Sequence, residues 1–131
     1  MDELLVFVHA RLDDEERLAS AAIQGPWRTG EIADHLVDYV IYGTSPIVST
    51  KIVQVANLEM AWQGEENAAH IVHQSPDRTR RDVQSRRKTL LRCQEEMLSG
   101  IPRLVWFAKM TVWEMAQRWN DHDDFKEGWK P

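Results

Sequence analysis

Residues 65–99 constrain the fold most strongly, because they predict a short helix, a Ser-Pro break and a long helix with separate apolar and basic faces. Ser75 can cap the long helix, Pro76 fits its first helical position and Asp77 complements the helix dipole. At 100° per residue, one arc of the long helix is mainly apolar. Its members are Val83, Leu90, Gln94, Met97 and Leu98. The rest of the chain must therefore supply an apolar partner for this arc.

The positive charge of the chain is concentrated in the same stretch. Residues 77–92 hold seven of the sixteen lysines and arginines, although the whole chain carries a net charge of −5. On a helix, Arg78, Arg81, Lys88 and Arg92 gather on one arc and are candidate phosphate contacts. A basic helix face in an acidic protein is more often solvated, so nucleic-acid binding is the alternative rather than the main expectation.

Arg87 falls within the apolar arc of the long helix, where a guanidinium needs a carboxylate partner. The C-terminal segment offers three candidates, Asp121, Asp123 and Asp124. The sequence thus predicts an ion pair between Arg87 and this segment.

Changes of pattern divide the remaining chain. An N-terminal helix is predicted over 1–24 and a β-hairpin region over 25–64, with strands near 38–42 and 47–55 around the turn Gly43–Pro46. The alternative is a three-stranded sheet with a further strand near 28–32. A Trp-rich helix follows over 102–119, and the tail 120–131 is predicted to dock through Phe125 and Trp129. A chain of 131 residues is one domain's worth of material. The predicted fold is α+β, with about four helices around a small antiparallel hairpin or three-stranded sheet in a single domain.

Large apolar side chains give two competing interpretations of the Trp-rich helix. It is apolar nearly all round, so it is either central to the fold or keeps one face for a partner, such as a second copy. The predicted core comprises Trp27, Trp106, Trp113, Leu5, Val8, Leu12, Val83 and Leu90. The predicted partner interface comprises Trp106, Met110, Trp113, Trp119 and Trp129.

Three blocks of sequence resemble a family of small actinobacterial and actinophage proteins known only as a domain of unknown function. The first block is the opening Met1–Leu4 with Ala10–Glu15 and Gly25–Trp27. The second is Ala68–Ile71 with Pro76, Arg78, Arg81–Val83 and Arg86–Lys88. The third is Asp121-His122 with Asp124-Phe125 and Trp129–Pro131. The resemblance implies a phage or prophage accessory protein and brings no activity with it.

Motifs for catalysis are missing from the sequence. There is no Gly-x-Ser-x-Gly elbow and no Gly-rich phosphate loop. His70 and His73 stand three apart on a predicted helix and are weak metal candidates, since a zinc site needs three or four convergent ligands. No cofactor is expected, and a metal-dependent enzyme is the least favoured of the functions considered.

Binding to another protein is the function that the sequence favours. The predicted partner is a host or cellular protein, bound either directly or after self-association to a homodimer. The acidic N-terminus lacks a basic leader region and no run of about 18 apolar residues occurs, so neither a signal peptide nor a membrane span is expected. A cytoplasmic location follows as the default expectation.

Overall fold

The computed structural model describes residues 1–31, 39–44, 49–55 and 61–130, and helices dominate them. The prediction of four helices is confirmed. In chain order these are α1 (Asp2–Ala21), α2 (Ala61–His73), α3 (Pro76–Leu98) and α4 (Pro102–Ala116). The strands are β1 (Trp27–Glu31), β2 (Tyr39–Thr44) and β3 (Ser49–Val55).

Helix α1 forms because its apolar residues recur every three to four positions. Leu4, Val8 and Leu12 are buried on one face, while Asp2 and Glu3 lie in the first turn, where they complement the helix dipole. The helix ends at Ala21, three residues before the predicted end. The Gln24 side-chain amide donates to the carbonyl oxygens of Ala19 and Ser20, both at 3.0 Å, so it satisfies carbonyls that have no partner within the helix.

The strands form an antiparallel sheet in the order β1-β2-β3, with Thr29 opposite Ile41 and a register shift after Ile41. Ile41 is buried, and α2 lies against the sheet. The predicted turn at Gly43–Pro46 lies partly outside the described residues. Trp27 is only half-buried rather than a core residue, because it opens an edge strand and its indole N–H donates to the Ile23 carbonyl at 2.9 Å.

The boundary predicted at Gly64 is wrong. Helix α2 begins at Ala61 and runs through Gly64. A glycine inside a helix costs only about 1 kcal/mol, which the rest of the helix can offset. The break before α3 lies where it was predicted, since α3 begins at Pro76 and the Thr79 amide donates to the Ser75 carbonyl at 3.0 Å.

The chain divides into two compact units, one formed by Met1–Glu16 and Asp82–Pro131 and the other by Arg17–Arg81. The core of the first unit comes from α1, α3, α4 and the tail. Its buried members are Leu4, Phe7, Val8, Leu12, Val83, Leu90, Cys93, Ala108, Val112, Ala116 and Phe125. The core predictions for Val8, Leu12, Val83 and Leu90 are confirmed, whereas Leu5 and Trp113 are partly buried and pack against this core.

Candidate functional site

Small, regularly spaced residues determine which side of α4 packs against the core. Gly100, at a φ of 70°, turns the chain after α3, and Pro102 opens α4. Ala108, Val112 and Ala116 recur at a spacing of four and are buried. The opposite side of α4 therefore faces away from the core.

That outward side carries large apolar groups between two charged residues. We call Arg103, Trp106, Phe107, Met110 and Glu114 the α4 surface. Trp106 is 57% exposed and Phe107 46% exposed, and their rings meet edge to face with centroids 5.0 Å apart. The Arg103 guanidinium lies over the Phe107 ring at 5.6 Å, and Met110 is half-buried. The prediction that Trp106 belongs to the core is wrong, because more than half of its side chain is exposed.

The charges at the two ends of the α4 surface form no ion pair within the described part of the chain. Arg103 and Glu114 are both exposed, and neither forms an ion pair with any described residue. A cation in the first turn of a helix and an anion in the last turn both oppose the helix dipole. Their placement therefore does not stabilise α4 itself. Comparing these two charges with the helix dipole would have singled out Arg103 and Glu114 from the sequence alone, although not the exposed side of α4.

The other predicted interface tryptophans lie elsewhere. Trp113, Trp119 and Trp129 are partly buried and pack against the core of the first unit. The Trp119 indole donates to Glu15 Oε1 at 3.1 Å, and the Gln117 amide donates to the Trp129 carbonyl at 2.7 Å. These contacts give the three tryptophans a structural role.

An aromatic cluster around Phe7 holds the tail in place. The Phe7 ring lies 5.3 Å from Trp129, 5.7 Å from Phe125, 5.9 Å from His122 and 6.4 Å from Trp119, measured between centroids. Three of these four contacts have the edge-to-face geometry that the ring quadrupole favours. The predicted docking of Phe125 and Trp129 is thus confirmed.

A groove of about 430 Å³ runs beside this cluster, with Phe7, Ala10 and Trp129 among its apolar walls. Four of its five charged lining residues pair with one another, Lys126 with Glu3 and Arg11 with Asp124. Lys126 Nζ lies 2.9 Å from Glu3, and its hydrogen bond holds the pKa of the Glu3 carboxyl below its usual value. Arg11 contacts His122 and pairs with Asp14 at 3.1 Å. Since these charges have partners, the groove offers a ligand mainly apolar contact.

Arg87 pairs with α1, not with the tail. Its Nη2 donates to Asp13 Oδ1 at 2.6 Å and to Glu16 Oε2 at 2.8 Å. The hydrogen bond to Asp13 raises the pKa of Arg87 above its usual value. The prediction of a partner among Asp121, Asp123 and Asp124 is therefore wrong. Asp13 and Glu16 are three apart on one face of α1, so both can reach a single guanidinium.

Some of the basic side chains of α3 form ion pairs with carboxylates, and others do not. Arg80 pairs with Asp77 at 2.5 Å, and Arg86 pairs with Asp82 at 3.0 Å. Each of the four candidate phosphate contacts is exposed and has no carboxylate partner among the described residues; these are Arg78, Arg81, Lys88 and Arg92. Arg78 Nη1 lies 3.2 Å from His73 Nδ1.

The candidate metal ligands do not converge. His70 and His73 are both exposed, and no group of three or more His, Cys, Asp or Glu side chains in the described ranges could hold a metal ion. Cys93 is a free, buried thiol, and burial raises its pKa above the usual value. These side chains do not form a site for chemistry in the part of the chain that the structure describes.

Comparison with known proteins gives the chain a family but no activity. No curated protein and no solved structure matches it. No helix in the described residues is long and apolar enough to cross a membrane. One family model matches residues 1–131, over the sequence blocks that carry the resemblance. The chain belongs to that family, DUF6221, which is described as a family of unknown function.

Proposed function

We propose that the protein is a non-enzymatic accessory protein of phage or prophage type that works in the cytoplasm by binding and modulating a host or cellular protein, either directly or after self-association. The observation that supports it is the α4 surface, where Trp106 and Phe107 remain largely exposed on a well-packed helix. Exposed aromatic rings beside an arginine are the residue types that dominate binding energy at protein interfaces.

The neighbourhood of the α4 surface extends the same apolar character. Leu98, Ile101 and Leu104, at the turn from α3 into α4, are also exposed. Scattered exposed apolar residues need no explanation, whereas a contiguous group with charged ends is typical of an interaction site. The protein could then bind a partner without further change in its fold.

Affinity purification of the tagged chain from actinobacterial lysate tests this function. We expect the wild-type chain to recover a stoichiometric partner, and the double variant Trp106→Ser, Phe107→Ser to recover at least tenfold less, because it removes both exposed rings. Leu18→Gln is the matched control, since Leu18 is an exposed apolar residue of α1. Equal recovery by the double variant would contradict the proposal, as would a wild-type chain that captures nothing and is monomeric in light scattering.

Contact with nucleic acid is the second candidate function, because four basic side chains of α3 are exposed without carboxylate partners among the described residues. Arg78 and Arg92 are separated by fourteen helical steps, which is roughly 21 Å of helix, enough to follow several phosphates of one strand. Binding of this kind does not depend on base sequence and weakens steeply as salt is raised.

A gel-shift series at increasing salt tests this alternative. If it is right, DNA or RNA is retarded at low salt, and the triple reversal Arg81→Glu, Lys88→Glu, Arg92→Glu abolishes the shift. A control triple reversal makes the same change in net charge at exposed bases outside this face; its members are Arg28→Glu, Lys109→Glu and Lys130→Glu. No shift by the wild-type chain at low salt, or equal loss in the control, removes the candidate.

A further inference from the structure

The α4 surface has opposite charges at its two ends, arranged about an apolar centre. Arg103 lies in the first turn and Glu114 in the last turn, and the eleven helical steps between them span about 16 Å. Phe107 and Met110 lie on the same side of the helix between them, close to the midpoint. Two such helices are therefore complementary in charge when they lie antiparallel.

We propose that a second copy of the chain covers this surface, with the two α4 helices packed antiparallel about a twofold axis near the helix midpoint. This arrangement rests on the proposed function, since it names the first partner of the same surface. Each Arg103 then lies beside the partner's Glu114, and each Phe107 packs against the partner's Met110. A parallel arrangement would instead bring like charges together, which is unfavourable.

The helix dipole gives an independent reason for the antiparallel order. Arg103 and Glu114 each oppose the dipole of their own helix. Across an antiparallel pair, Arg103 meets the negative C-terminal end of the other helix and Glu114 meets the positive N-terminal end. Charges that are unfavourable in one chain thus become favourable in the dimer.

The apolar area of the surface suits an interface between two copies. Trp106 is 57% exposed and Phe107 46% exposed, and Leu98, Ile101 and Leu104, which precede them in the chain, are exposed as well. A large aromatic side chain offers about 150–250 Å². With the aliphatic side chains, each copy presents several hundred Å², so two copies approach the roughly 1,200 Å² at which specific interfaces begin. A dimer that dissociates at low concentration is the expected result.

Sedimentation equilibrium of the full chain, in reductant so that Cys93 cannot link copies, tests this proposal. We expect the wild-type chain to dimerise reversibly. Arg103→Glu alone and Glu114→Arg alone should each weaken the dimer at least tenfold, because each puts like charges together at both ends of the antiparallel pair. The double variant Arg103→Glu, Glu114→Arg should recover most of the affinity that each single variant loses, since the exchanged charges are again complementary although their interaction with the helix dipoles is reversed.

Three outcomes would overturn the dimer. These are a wild-type chain that stays monomeric, single variants that dimerise as the wild type does, and a double variant that fails to recover. Circular dichroism of each variant shows that the helices are intact, and Lys109→Glu is the charge-reversal control on the same helix but outside the surface. A monomeric chain that still captures another protein through Trp106 and Phe107 would refute the dimer and leave the proposed function standing.

Discussion

Replacing Phe7 with alanine is expected to destabilise the first unit by about 3–5 kcal/mol and to release the tail. Phe7 is buried, and its ring contacts Trp119, His122, Phe125 and Trp129. The variant removes the common neighbour of four rings, so it opens a cavity and also loses their edge-to-face contacts. The loss should appear as a lower midpoint in guanidinium chloride unfolding followed by tryptophan fluorescence.

Phe107→Ala is the matched control for Phe7→Ala, because Phe107 is 46% exposed on α4. Measured at a concentration where the chain is monomeric, it should change stability by less than about 1 kcal/mol. Limited trypsin digestion provides a second measurement, since release of the tail makes the peptide bond after Lys126 accessible to cleavage. A Phe7→Ala variant with wild-type stability and an unchanged cleavage rate would show that Phe7 does not hold the tail.

Two adjacent leucines of α3 give the next largest expected difference. Leu90 is 0% exposed and Leu91 is 57% exposed, although they share a residue type and a helix. Leu90→Ala should lower the free energy of unfolding by about 2–5 kcal/mol, because burial is lost and a cavity remains. Leu91→Ala should change it by no more than about 0.5 kcal/mol, since alanine is the better helix former and little area is lost.

Chemical denaturation of both leucine variants, with the slope against denaturant fitted in each case, checks this pair. A common slope means that the difference in midpoint reports stability alone. Equal losses at Leu90 and Leu91 would contradict the assignment of α3's buried face.

Local signals in the sequence predict the helices well. Pro76 and Pro102 mark the first residues of α3 and α4, and the spacing of Val8 and Leu12 identifies the buried face of α1. These signals depend on the backbone of a few neighbouring residues, so they do not require the tertiary structure to be known. The docking of the tail could be predicted too, because Phe125 and Trp129 are isolated large rings in a polar segment.

Features that depend on distant residues could not be predicted. Trp106 and Trp113 are seven apart and lie on the same side of α4, yet only Trp113 packs against the core. Periodicity gives the side of a helix but not what covers it along its length. Arg87 needed a carboxylate, but six acids near the N-terminus and four in the tail were available, and only the packing of α1 against α3 selects Asp13 and Glu16.

The candidate site, too, could be predicted only in part from the sequence. Sequence reasoning predicted an interface that includes Trp106 and Met110, and it did not single out Arg103, Phe107 and Glu114 of the α4 surface. None of these three residues is unusual when it is considered alone. They are of interest because of the order of charges along α4 and because they lie on its exposed side. That side is known only from the structure, in which Ala108, Val112 and Ala116 are buried.

The division into two units has a consequence for the order of folding. Arg17–Arg81 is continuous in sequence, whereas the first unit joins Met1–Glu16 to Asp82–Pro131. The hydrogen bond from Trp119 to Glu15 closes a loop with a sequence separation of 104 residues, and the rings of Phe125 and Trp129 join Phe7 later still along the chain. Contacts of such long range form late, because loop-closure entropy must be lost first. On the ribosome, the ring of Phe7 must therefore remain without these two partners until Phe125 and Trp129 have been synthesised.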